Sequence, residues 1–187
     1  MWESSKEEEK TIEKIEVVTM LVASADGLNE AEGQAFDATA GQIRFFYQAK
    51  KAILEFEKSG DINKAKALIK EPLAVHHHMT FGSGSHIDEL MEERKEVLSS
   101  KDDYETLIKI KASEIVDDFD RKVALMMIED VYSADDESSK IELWGHLVVS
   151  KEWGISRIAV NKWFSTIVQP VLEAAPQYNF EEEEEGQ

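Results

Sequence analysis

The chain reads as all-α: a compact helical bundle of about seven helices built from two related halves. Three observations predict this. Apolar residues recur at three- and four-residue spacing along most of the 187 residues. No stretch alternates apolar and polar residues over a strand's length, and no Asn-Gly hairpin signal occurs. Finally, one short phrase is used twice: Val22-Ala23-Ser24-Ala25-Asp26-Gly27 returns as Val131-Tyr132-Ser133-Ala134-Asp135-Asp136. Each copy follows a helix-period apolar run and precedes carboxylates and a second apolar run, so a helix–acidic turn–helix unit occurs twice.

The elements follow in order. Ser4 or Ser5 with Glu7, Glu8 and Glu9 makes a helix start, the acids lying at the positive end of the helix dipole. Ile12, Ile15, Val18, Met20, Leu21 and Val22 carry that helix to Asp26-Gly27, where glycine supplies a left-handed cap. Asn29 caps a second helix, with Glu32 as its capping-box partner, running through Phe36, Ile43, Phe46, Ala49, Ile53 and Phe56 to Ser59-Gly60. Asp61 opens a shorter helix through Ile62, Ala65, Leu68 and Ile69. The stretch from Pro72 to Ser85 is the best loop in the chain. Ser83 or Ser85 then caps a helix through Ile87, Leu90, Met91 and Leu98. Another pattern, through Tyr104, Leu107, Ile108, Ile110 and Ile115, follows Ser99-Ser100.

The second copy begins with a buried-looking helix through Phe119, Val123, Leu125, Met127, Ile128 and Val131. The next helix carries Ile141, Leu143, Trp144, Leu147 and Val148 up to Trp153-Gly154. Ser156 caps the last helix, which holds Trp163, Phe164, Ile167, Val171 and Leu172 and is expected to kink at Pro170. A single domain is thus expected over 5–175, with a first half at 5–60, a variable middle at 61–100 and a second half at 101–175. The tail, 176–187, ends in a glutamate run with little to bury and reads as disordered.

Composition narrows the function. There are 39 acidic against 21 basic residues, net −18, a surface that repels phosphate backbones and attracts cations or basic partners. Direct nucleic-acid binding is therefore disfavoured. The absence of cysteine removes disulfides, thiolate metal sites and thiol catalysis. The N-terminus lacks a signal-peptide pattern and no apolar run is long enough to span a bilayer, so a cytoplasmic location without a transmembrane segment is expected.

Three constellations could carry chemistry. The acidic turns place Asp26 before Glu30 and Glu32, and Asp135 and Asp136 before Glu137 and Glu142. Oxygen-only carboxylate clusters suit hard divalent cations, although acids at helix starts also serve as ordinary caps. Neither turn has the ligand spacing of an EF-hand. His76, His77 and His78, with His86, could bind a transition metal, or be plain solvent-exposed loop residues. His146 beside Trp144 reads as packed or surface-exposed rather than catalytic. Trp144, Trp153, Trp163 and Phe164 read as core, with a partner groove as the minority reading. No serine is coupled to a histidine and an acid, and Gly82-x-Gly84 is too short for a phosphate loop, so no catalytic residue is assigned.

The unit Val22-x-Ser24-Ala25-Asp26-Gly27, Asn29-Glu30-Ala31-Glu32, and its return from Arg121 through Asp135 to Trp153-Gly154-Ile155-Ser156, resembles the TerB-like family, the tellurite-resistance protein TerB and its relatives. The resemblance covers the two helix pairs and not the middle of the chain. Copy two has Asp136 where the motif has glycine, and its glutamate falls one residue later. The resemblance implies an all-helical bundle of two related halves. It also implies a non-enzymatic stress-response role and a divalent-cation site, usually suggested to hold calcium. Carried over by position, the site residues are Asp26, Glu32, Asp135 and Glu142. Protein partners at the cytoplasmic face of the membrane are implied as well. The alternative is an acidic protein-interaction module that engages a basic partner without a metal.

Overall fold

The computed structural model describes residues 3–27, 29–74, 85–97, 100–134 and 139–176. These form α1 (Lys6–Ala23), α2 (Glu30–Ser59), α3 (Ile62–Ala67), α4 (Ser85–Val97), α5 (Lys101–Ser113), α6 (Asp118–Tyr132), α7 (Lys140–Trp153), α8 (Arg157–Trp163) and α9 (Gln169–Ala174). A π-helical turn, Phe164–Val168, joins α8 to α9, so the last segments make one continuous rod. The described residues contain no strand, and the all-α class is as expected. No described helix is long and apolar enough to cross a membrane.

Local chemistry sets the helix ends. Ser5 with Glu8, Asn29 with Glu32, and Ser139 with Glu142 each form a complete capping box, in which side chain and backbone satisfy one another's free groups. Gly60 and Gly154 close α2 and α7 with φ of 67° and 65°, the left-handed cap that only glycine adopts without strain. Helix α1 stops earlier than its sequence suggests: Ser24, not Gly27, is its C-cap, and Gly27 (φ 104°) turns the chain beyond it. Neighbouring helices hold this earlier stop. The Tyr104 hydroxyl on α5 donates to the Leu21 carbonyl, and the Arg94 guanidinium on α4 donates to the Ser24 carbonyl. The expected kink at Pro170 is taken up one turn upstream. A proline ring crowds the carbonyl four residues before it and offers no N–H, and the backbone relaxes into the wider π turn, in which the Gln169 N–H donates to the Phe164 carbonyl.

The packing centres on two helices. Helices α1 and α6 pack most extensively against each other at the centre. Helix α1 also touches α2 and α7, while α6 touches α7 and α2. Each of the central pair, α1 and α6, thus contacts both α2 and α7. Ile12, Ile15, Val18, Leu21, Val22 and Ala23 on α1 are completely buried, as are Val123, Ala124, Met127, Ile128 and Val131 on α6. Apolar burial of this extent is the main driving force of the fold. Helices α4 and α5 cover α1 on one side, and α3 with α9 flanks α2.

Helix α7 departs from the sequence reading. Leu143 and Leu147, expected to face inward, are 44% and 51% exposed, whereas Glu142, Gly145, His146 and Val149 are buried. The reason is steric. A Cβ added to Gly145 would lie 3.0 Å from Val22 Cγ1 on α1, so the closest approach of α7 to the core is through its glycine face. The more apolar face is turned away.

Candidate functional site

The site is built by the two capping boxes that open α2 and α7. In each box a glutamate at the third helical position turns its carboxylate back to the N-cap. Glu32 Oε2 accepts from the Asn29 N–H at 3.0 Å, and Glu142 Oε2 accepts from the Ser139 N–H at 2.8 Å. Both glutamates are buried, at 3% and 0% exposure. The two capping-box carboxyls come together, and the Glu32 carboxyl lies within hydrogen-bonding reach of Glu142.

Two acceptors facing each other out of water cannot both stay charged cheaply. Burial pushes the Glu142 carboxyl up to about 7, the Ser139 hydrogen bonds oppose this, and Glu32 and the nearby Asp26 charge raise it further. Glu142 Oε1 has no hydrogen-bond donor among the described residues. The pair therefore calls for a proton or a cation.

Of the four residues implied by the resemblance, Glu32 and Glu142 meet. Asp26 is exposed at the turn beside them and acts on Glu142 through its charge. Asp135 lies outside the described residues, as do Asp136, His76, His77, His78 and the tail from 177 onward. Among the described residues no three His, Asp or Glu side chains are gathered as a metal-ligand group. An oxygen-only pair with one orphaned oxygen fits a hard cation chemically, and water or further carboxylates would have to complete its shell.

Sequence reasoning passed over two buried carboxylates, Glu16 and Asp120, and read a third buried group, His146, as packed or surface-exposed. His146, one turn along α7 from Glu142, is buried, and its Nδ1 lies 2.8 Å from the Tyr132 hydroxyl. Burial lowers the His146 pKa and pushes the Tyr132 hydroxyl up to about 12. The phenol and the neutral ring share a hydrogen bond through Nδ1, and Nε2 has no partner among the described residues. The four-residue spacing of Glu142 and His146 was the available signal. Glu16, also buried, is held by His86 at 3.0 Å and Arg44 at 3.6 Å. Asp120 accepts from the Tyr47 hydroxyl and sits 3.4 Å from Lys50 Nζ. Trp153 and Trp163 are core residues, as the default reading of the aromatics had it.

Compared with protein-family models, with curated proteins and with solved structures, the chain matches none.

Proposed function

We propose that this is a non-enzymatic, TerB-like stress-response protein of the cytoplasm that binds a divalent cation, with calcium the leading choice, at the junction of its two halves. Glu32 and Glu142 supply the inner carboxylates, with Asp26 at the exposed turn beside them and Asp135, its counterpart in the second copy of the repeated phrase, as a further ligand. One observation carries the reading: a fully buried Glu142 with one oxygen, Oε1, lacking a donor among the described residues and a second carboxyl within hydrogen-bonding reach. A cation between the two would replace repulsion with attraction and leave both capping boxes intact, since those use the other oxygen of each carboxylate. Such a cation would also lock the relative placement of the halves and couple metal loading to the surface presented to a protein partner.

The test is thermal unfolding after chelation, with calcium, magnesium, manganese and zinc returned one at a time. Binding to the folded state alone, at 100 times the dissociation constant, adds about 2.7 kcal/mol. We expect a rise in Tm with one of these ions that disappears in Glu142→Gln and in Asp135→Asn. No rise with any ion would leave the pair as a proton-sharing structural contact. The second reading, an acidic module that recruits a basic protein without a metal, rests on the net charge of −18 and predicts salt-sensitive capture indifferent to chelation.

A further inference from the structure

A second site lies elsewhere in the molecule, in an open cleft of about 430 Å³ between α2, α6 and α8 with the π turn that follows it. Its walls are Phe45, Phe46 and Phe164, with Met126. The rings meet edge to face, Phe45 with Phe46 and Phe46 with Phe164, each pair with centroids 6.4 Å apart. Its rim is polar: Gln42, Asn161, Glu129 and Asp130. We propose that this cleft binds a small organic cation, an ammonium group carried on an apolar body.

Four observations converge on that ligand. The volume falls within the range of small-molecule sites, and an apolar lining with a few polar groups at one edge is their usual construction. The rim carboxylates are not equivalent. Glu129 is already paired with the Arg157 guanidinium, while the Asp130 side chain has no hydrogen bond or ion pair among the described residues.

The aromatic walls are also unused. Elsewhere this protein lays lysine or arginine over its rings: Lys50 over Tyr47 and Phe119, Lys101 over Trp144, Arg121 over Trp153 and Lys122 over Trp163. Among the described residues no cation lies over Phe45, Phe46 or Phe164. Aromatic faces attract ammonium groups through their quadrupole, most strongly where water is partly excluded. Finally, Phe164 reaches the cleft from the first residue of the π turn. Such wide turns are uncommon and often occur at functional sites.

The occupant must satisfy both parts of the cleft. Its apolar body rests against the three phenylalanines and Met126, and its ammonium lies at the rim beside Asp130. The Gln42 and Asn161 side-chain amides, which have no partner among the described residues, have carbonyl oxygens free to accept from it. Anions are excluded by Glu129 and Asp130.

The experiment is an amide chemical-shift titration of the whole chain at pH 7.5 and 150 mM salt. The probes are 2-phenylethylammonium, its neutral isostere 2-phenylethanol, its anionic counterpart 3-phenylpropionate, and methylammonium, which has charge without a body. We expect 2-phenylethylammonium to shift amides of residues 42–46, 126–130 and 161–164, with a dissociation constant about tenfold below that of 2-phenylethanol. No site should saturate with the other two probes. Asp130→Asn changes an exposed residue and should remove the preference for the cation. Gln42→Lys, also at an exposed position, sets a fixed cation at the rim and should weaken 2-phenylethylammonium binding about tenfold. Equal affinity for the charged and neutral probes would overturn the proposal, as would shifts scattered over the acidic surface and shared by methylammonium, or binding unaffected by both substitutions.

Discussion

Replacing Glu142 by glutamine tests the central feature of the molecule directly. Glutamine has the shape of a protonated glutamic acid: its carbonyl can accept from the Ser139 N–H, and its amide can donate to the Glu32 carboxyl. The sign follows from proton binding. In the unfolded chain Glu142 titrates near 4.5, whereas in the fold it is raised to about 7. Below pH 4.5 both states are protonated and there is no penalty. Between 4.5 and about 7 the folded state holds the proton that the unfolded state has released, so stability falls as pH rises. Above 7 the cost is fully present.

One pKa unit corresponds to about 1.4 kcal/mol, which makes the full shift about 3 kcal/mol. Screening by solvent at the adjacent exposed turn and sharing of charge with Glu32 reduce this to about 1–2 kcal/mol. With divalent ions chelated, Glu142→Gln should therefore unfold about 3–6 °C higher than the parent at pH 8. The two Tm values should converge as pH falls to 4.5. Scanning calorimetry across that range is the assay. A variant less stable than the parent at pH 8, or a difference that does not change with pH, would refute the picture of two carboxyls in mutual repulsion.

Other substitutions probe the supports of the site. Arg44→Met should cost about 3 kcal/mol in urea unfolding, because it strips the buried Glu16 of its guanidinium partner 3.6 Å away. Gly145→Ala should destabilise by about 1 kcal/mol, although alanine is the better helix former, since the new methyl meets Val22 at 3.0 Å. An unchanged or raised Tm there would mean that α7 can back away from α1 freely. Tyr47→Phe removes the hydroxyl that donates to buried Asp120 and should cost about 1–3 kcal/mol by the same measurement.

Much of this architecture was legible before any coordinates. The caps at Asn29, Ser100 and Ser156 stand where the sequence places them, and so do the glycines ending α2 and α7. The inward faces of α1 and α6 could be read as well. These features depend on a residue and its neighbours within a turn or two, and that range is written in the chain. The capping-box role of Glu32 was equally local. The matching role of Glu142 obeys the same rule, with Ser139 three residues before it, but it was not read from the sequence.

What neighbours in space decide could not be read that way. Periodicity turned Leu143 and Leu147 inward, but the close approach of Gly145 to Val22 turned them out and buried Glu142 and His146 instead. Gly27 had the better cap chemistry, yet hydrogen bonds from α4 and α5 ended α1 at Ser24. The cleft beside Asp130 joins residues from positions 42 to 164, and its π turn offers no local sequence pattern beyond the proline that follows. Alone, the sequence determined which segments are helical, most of their caps, and that a helix–acidic turn–helix unit is used twice. Only the tertiary structure decided that the two capping glutamates meet and that one of their oxygens goes without a donor, because a carboxylate's charge state depends on what is packed against it, and here that partner lies more than a hundred residues away.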